Sequence, residues 1–151
     1  AGTTAMGAGL MFVYAHDVMP AISGLDDPAH LAAFRRLDAA IYNPWMMITF
    51  VGSPVLTFAA LLQHLSDRGS VLAWIAVALV LVVVTILITG AIHLPLNAEV
   101  QDAAPDFKDA AALRERFEGR WVVWNIARTI TATGGLVALC VALFTAGRAS
   151  A

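Results

Sequence analysis

Charge is scarce in this chain. Asp, Glu, Lys and Arg make up 13% of its 151 residues, where a soluble domain carries about 25%. With 60% hydrophobic residues and a mean hydropathy of +0.77, water is not the main solvent for such a chain. Basic excess is lacking as well. The formal net charge of -2 provides no cationic surface for a phosphate backbone, which excludes nucleic acid as a partner. The single cysteine, Cys140, rules out an intrachain disulfide. No His-x-x-x-His or similar local pattern occurs, so spacing alone declares no metal site. The first residues have neither the basic stretch nor the small-residue cleavage site of a secretory leader. The first apolar run is therefore expected to be a helix that begins upstream of Ala1.

What the sequence has in abundance is long apolar runs. A bilayer core about 30 Å thick needs roughly 20 helical residues, and four runs reach that length, at about 1–22, 44–65, 71–94 and 121–146. The third holds no charged residue from Val71 to His93, and the fourth is interrupted only by Asn125 and Arg128. The second opens on Pro44, a favoured first helical position, and carries Gly52 and Pro54, where it can bend. The runs predict an all-α fold: one domain, a four-helix transmembrane bundle. The short link from Ser66 to Ser70 forces a hairpin, so the order is up-down-up-down with both termini on one side. Arg68 and Arg148 flank that side and assign the termini to the cytoplasmic face of the plasma membrane. The two longer links, 23–43 and 95–120, hold most of the charges and are expected to form interfacial helices. In the first, Leu31, Phe34, Leu37 and Ile41 recur at helical spacing and give one apolar face, suited to a lid. Membrane lipid is the expected surroundings. Gly7, Gly9, Gly134 and Gly135 provide close-packing surfaces within or between chains, which leaves a homo-oligomer open.

In an alternating bundle the unusual polar residues fall at one end. His16 and Asp17 leave the first helix there, Tyr42 and Asn43 enter the second, His93 and Asn97 leave the third, and Trp121, Trp124, Asn125 and Arg128 enter the fourth. Ionisable residues at membrane depth are costly and point to function by default, and Asp17 is the expected partner of Arg128. The four residues of the last helix are spaced by three, four and seven, so they share one face. A histidine titrating near 6.5 can act as a base at neutral pH, which makes His16 and His93 candidates. His30 and His64, in or beside interfacial segments, read as ordinary solvated side chains. Each residue also has a plainer role: the tryptophans as interfacial anchors, Asn43 and Asn97 as helix-end residues, Asn125 and Arg128 as hydrogen-bonding ties between helices.

Four stretches, VMPAISGL, IYNPWMMITFVGSP, HLPLNAEV and RWVVWNIARTITAT, resemble the anthrone-oxygenase-like membrane family in order and spacing. The most specific pieces are Pro95-Leu96-Asn97 and the W-x-x-W-N-x-x-R pattern from Trp121 to Arg128. The resemblance implies a four-helix membrane fold and the oxidation of an electron-rich anthrone by O2 without a cofactor. On that reading His16 or His93 is the base. Arg128 and Asn125 stabilise the enolate or peroxide charge, and Tyr42, Trp121 and Trp124 wall an aromatic pocket beside Asn43 and Asn97. O2 and a small apolar aromatic substrate are then the partners. Two other readings stand beside it: a haem or copper protein ligated by His16 and His93, and a non-enzymatic membrane subunit or small-molecule binding protein whose polar cluster only holds the helices together.

Overall fold

The structure, a computed structural model, describes residues 1–66 and 69–149, and its regular elements there are all helical. Arg68, counted above toward orientation, lies outside the described residues. The helices are α1 (Gly2–Ser23), α2 (Asp27–Ile41), α3 (Pro44–Gln63), α4 (Ser70–Gln101) and α5 (Ala110–Ala149). Among the described residues, α1, α3, α4 and α5 are long and apolar enough to cross a membrane. Their outer faces expose large apolar side chains such as Val51, Val80, Leu87 and Ile130. Water penalises such surface at about 25 cal/mol per Å², whereas hydrocarbon does not.

Between these helices the contacts are made by small and hydroxylated residues, as expected where lipid competes equally for apolar side chains. A Cβ on Gly134 would lie 3.3 Å from Leu81, and one on Gly135 would lie 3.4 Å from Val82 and 3.5 Å from the Ala78 carbonyl oxygen. The Thr4 and Ser53 hydroxyls pair at 2.8 Å and those of Thr85 and Thr131 at 2.7 Å. Pairing of 81 with 134, 85 with 131 and 97 with 121 shows that α4 and α5 run in opposite senses. Gly7 likewise packs near Thr49, whereas Gly9 meets nothing and plays no part in packing within the chain. Because Gly135 faces backbone, Gly135→Leu is expected to lower stability by about 1–3 kcal/mol, the usual cost of overpacking. Thermal unfolding in detergent measures it.

Two wide π-helical turns, Tyr14–Val18 in α1 and Thr89–His93 in α4, interrupt the regular winding. Each lies just ahead of a proline, Pro20 or Pro95. A proline ring collides with the carbonyl four residues earlier, here that of His16 or Ala91, and a wider turn relieves the collision without ending the helix.

That accommodation explains a difference from expectation. The link 95–120 does not form a separate interfacial helix: α4 runs through Pro95 to Gln101, and α5 starts at Ala110. Leu96, Val100, Leu113 and Phe117 keep apolar helical spacing through this region and are buried. The other link does contain a helix. α2 is capped by Asp26, which accepts from the Ala29 amide at 2.9 Å. It buries Leu31 and Phe34 as expected, but Leu37 and Ile41 are only half-buried, and His30 and Asp38 complete the inner face. His30 is therefore not solvated: it is fully buried, with Nδ1 3.0 Å from the Ile22 carbonyl oxygen and Nε2 without a partner. His64 is half-buried, with Nδ1 2.9 Å from the Ala60 carbonyl oxygen.

Two arginines fasten this end. Arg35 donates from Nε and Nη2 to the Val100 carbonyl at 3.0 and 2.8 Å and from Nη2 to that of Ala103 at 2.6 Å, satisfying carbonyls left open where α4 ends. Arg114 does the same for α1, donating to the carbonyls of Ser23 at 2.7 Å and Leu25 at 2.9 Å while pairing with Asp27 at 3.0 Å and Glu118 at 2.7 Å.

Candidate functional site

Beneath α2 lies a cavity of about 270 Å³, close to the lower end of the ~300–1,000 Å³ of small-molecule sites. Every helix contributes to it. α1 supplies Leu10, Met11 and Tyr14; α2 supplies Phe34 and Asp38; α3 supplies Met46, Met47 and Phe50; α4 supplies Thr89, Gly90, His93 and Asn97; α5 supplies Trp121 and Arg128. Both π turns border it, placing Tyr14 on one wall and Thr89, Gly90 and His93 on another.

Trp121 is the centre of the arrangement. Its indole meets Phe34 edge-on at 5.5 Å and Tyr14 at 5.9 Å. The His93 ring stands against it at 5.2 Å and 81°, and the Arg128 guanidinium lies 5.4 Å from its ring centroid, a cation–π distance. Its N–H donates to Asn97 Oδ1 at 2.9 Å. Asn97 in turn donates through Nδ2 to Asp38 Oδ1 at 2.6 Å, and Gln101 donates to Asp38 Oδ2 at 2.8 Å. The chain Asp38–Asn97–Trp121 thus ties α2 to α4 and α5 and fixes the indole plane.

His93 is 1% exposed, and among the described residues neither ring nitrogen has a hydrogen-bond partner of good geometry, the ring making only loose contacts with the backbone of Ile88 and Trp121. Buried polar atoms are nearly always well satisfied, so an imidazole this loosely held on a cavity wall is free to bond to whatever occupies the cavity. Arg128 donates from Nε to Asn125 Oδ1 at 3.0 Å and from Nη1 to Thr89 Oγ1 at 3.4 Å, while Nη2 bonds to none of the described residues. Asn125 is fully buried, with Nδ2 donating to the Met11 carbonyl at 3.1 Å. It touches Arg128 and aims it, and it does not line the cavity. Tyr42, 61% exposed, stands at the rim. Partial desolvation, and then the charge of Asp38, raise its phenol pKa above the usual value, so it presents a neutral hydroxyl.

Of the residues expected from sequence, His93, Asn97, Tyr42, Trp121 and Arg128 meet at this cavity, with Asn125 behind them. Four others do not. His16 is exposed, stacked on Phe12 at 4.1 Å, with Nδ1 3.1 Å from that residue's carbonyl oxygen. It borders a separate outer groove with Ile126 and Ile130. Asp17 is exposed and makes no ion pair with Arg128. Asn43 caps α3, accepting from the Met46 amide at 3.0 Å and donating to the Ala40 carbonyl at 2.9 Å. Trp124 is 39% exposed, away from the cavity. Asp38 and Tyr14 are site residues that sequence reasoning passed over. The sequence signal for Asp38 was its position four after Phe34 and seven after Leu31, on the apolar face of α2.

His16 and His93 thus lie on different cavities, and no group of three or more His, Cys, Asp or Glu among the described residues could hold a metal ion. The donor set that a haem or copper site would have drawn on is divided between two places.

Compared with known families, residues 39–138 match the family described as anthrone oxygenase. The matched stretch contains Tyr42, His93, Asn97, Trp121, Asn125 and Arg128, and leaves out His16 and Asp17. No curated protein and no solved structure matches the chain.

Proposed function

The chain belongs to the anthrone oxygenase family, and on that premise we propose that it is a membrane oxygenase that converts a hydroxylated anthrone, or a similar electron-rich polycyclic aromatic, to the quinone with O2. In this reading α1, α3, α4 and α5 form an up-down-up-down bundle in the plasma membrane, with α2 lying on the interface as the roof of the site. The observation that carries the proposal is the buried His93 imidazole and the Arg128 guanidinium, both set against the Trp121 ring on the wall of one cavity.

The chemistry follows from those positions. An anthrone has an acidic methylene opposite its carbonyl. His93 removes one methylene proton, and the negative charge moves to the carbonyl oxygen, where Arg128 stabilises it. The enolate gives one electron to O2, and the resulting radicals combine to form a carbon–oxygen bond. The peroxide anion so formed takes the proton back from His93, and the resulting hydroperoxide loses water to leave the second carbonyl. One O2 is consumed, one oxygen atom enters the quinone and the other leaves as water, so the substrate supplies all the electrons. Trp121, Phe34 and Tyr14 give the flat ring system aromatic walls, and Asn125 acts as a positioning residue through Arg128.

Oxygen uptake by the purified protein in detergent, with a hydroxylated anthrone and a protein-free blank for autoxidation, tests this. Uptake well above the blank with stoichiometric quinone is expected. Uptake no faster than the blank would overturn the proposal.

A further inference from the structure

The cavity has one covered end and several exposed lining residues. On the charged end α2 covers it: Asp38 holds Asn97 and Gln101, and Arg35 holds the carbonyls at the end of α4. Toward the side, the exposed lining residues are Tyr42, Met47, Gly90 and Leu94. Met47 and Leu94 are 45% and 47% exposed. Met47 lies one turn into α3, and Gly90 lies in the π turn of α4. The surface beside them is apolar and exposed, with Ile48 and Val51 on α3 and Leu87 on α4. A Cβ on Gly90 would meet nothing within 4 Å, so at this position the helix borders open space.

Building on the oxygenase reading of the site, we infer that the gap between α3 and α4, edged by Met47 and Gly90, is a lateral portal through which an uncharged planar aromatic passes from the bilayer into the cavity. Such a molecule concentrates in hydrocarbon, and the exposed side chains edging the gap, Met47, Leu94 and Leu87, are apolar. The aqueous route would require breaking the hydrogen bonds that fasten α2. Glycine at position 90 keeps the path wide, and the thioether of Met47, a flexible and polarisable side chain, lets it adapt to a rigid ring system.

The test uses the full chain in lipid nanodiscs with Trp45, Trp74 and Trp124 changed to Phe, leaving Trp121 as the only indole. Energy transfer from Trp121 to 1-hydroxyanthraquinone, followed by stopped flow, reports arrival in the cavity. Gly90→Phe, whose Cβ would meet nothing within 4 Å, is expected to slow association roughly tenfold, as about 1.4 kcal/mol added to the barrier would do. Arg35→Ala, which loosens α2, is expected to leave the rate unchanged. Association unaltered by Gly90→Phe, or accelerated by Arg35→Ala, would overturn the portal. Failure of the probe to bind the parent protein would overturn the portal and the site reading together. Binding that Gly90→Phe slows, in a protein that oxidises no anthrone, would support the portal and remove only the oxygenase reading.

Discussion

Replacing His93 with glutamine is expected to lower anthrone-dependent oxygen uptake by about 10²–10⁴-fold, the contribution of a positioned general base. Glutamine is close to histidine in size and keeps polar atoms on the cavity wall, so the fold should survive. It has no basic nitrogen to accept the methylene proton. In the resting protein the His93 ring makes only loose contacts with the backbone of Ile88 and Trp121, so the substitution breaks no well-formed hydrogen bond, and unfolding temperature should move little. This pairing of readouts separates chemistry from structure: a large loss of rate with an unchanged unfolding temperature assigns the base. Uptake that persists within a few-fold of the parent would remove His93 from that role and move attention to Asp38, the buried carboxylate across the cavity.

The second large effect is expected at Arg128. Arg128→Met should reduce kcat by about 10²–10³-fold, the scale on which a single donor to a developing oxyanion acts, with a smaller change in KM. An interaction made mainly as charge develops lowers kcat and kcat/KM together. The methionine variant also strips Asn125 Oδ1 of its donor, and an orphaned buried acceptor costs about 1–3 kcal/mol of stability. Arg128→Lys provides the control. Lysine keeps the charge but cannot reproduce the planar fork that reaches Asn125 and Thr89 at once, so it should recover part of the rate without recovering all of it. Steady-state oxygen uptake on the three proteins decides this. A lysine variant as inactive as methionine would argue that shape, and not charge, is what the site requires.

Much of this site was legible before the fold was known, for a simple reason. Trp121, Asn125 and Arg128 belong to one uninterrupted helical stretch, so their spacing of four and three translates directly into one face. His93 and Asn97 are four apart and follow the same rule because regular winding resumes at Leu94, just past the π turn. The first helix defeated it. Buried positions there run Thr4, Ala8, Met11, Tyr14, then Met19 and Ile22, and the five-residue step between Tyr14 and Met19 spans the π turn. An inserted residue rotates everything around it. Tyr14 therefore faced the cavity, while His16 and Asp17, the more conspicuous side chains, faced outward.

Asp38 was missed for a different reason. In a segment with Arg35 and Arg36 beside it, a carboxylate reads as part of a solvated face. Its burial depends on Asn97 and Gln101, donors about 60 residues away that no local pattern connects to it. The fourth span shows the same limit in reverse. Charges between 108 and 120 suggested that the helix had not yet begun, but Glu115, Arg116 and Arg120 lie along its outer side and Arg114 fastens it to the end of α1, while Leu113 and Phe117 pack inward.

The fastening of α2 also has a consequence for order in time. Domains assemble as the chain emerges, N-terminal parts first, at about 5–20 residues per second. α2 is among the first helices made, yet Asn97, the carbonyls of Val100 and Ala103, and Arg114 all follow it in the chain by the whole length of α3 and most of α4. The roof of the cavity is therefore synthesised well before the residues that fasten it, first those at the end of α4 and then Arg114 in α5.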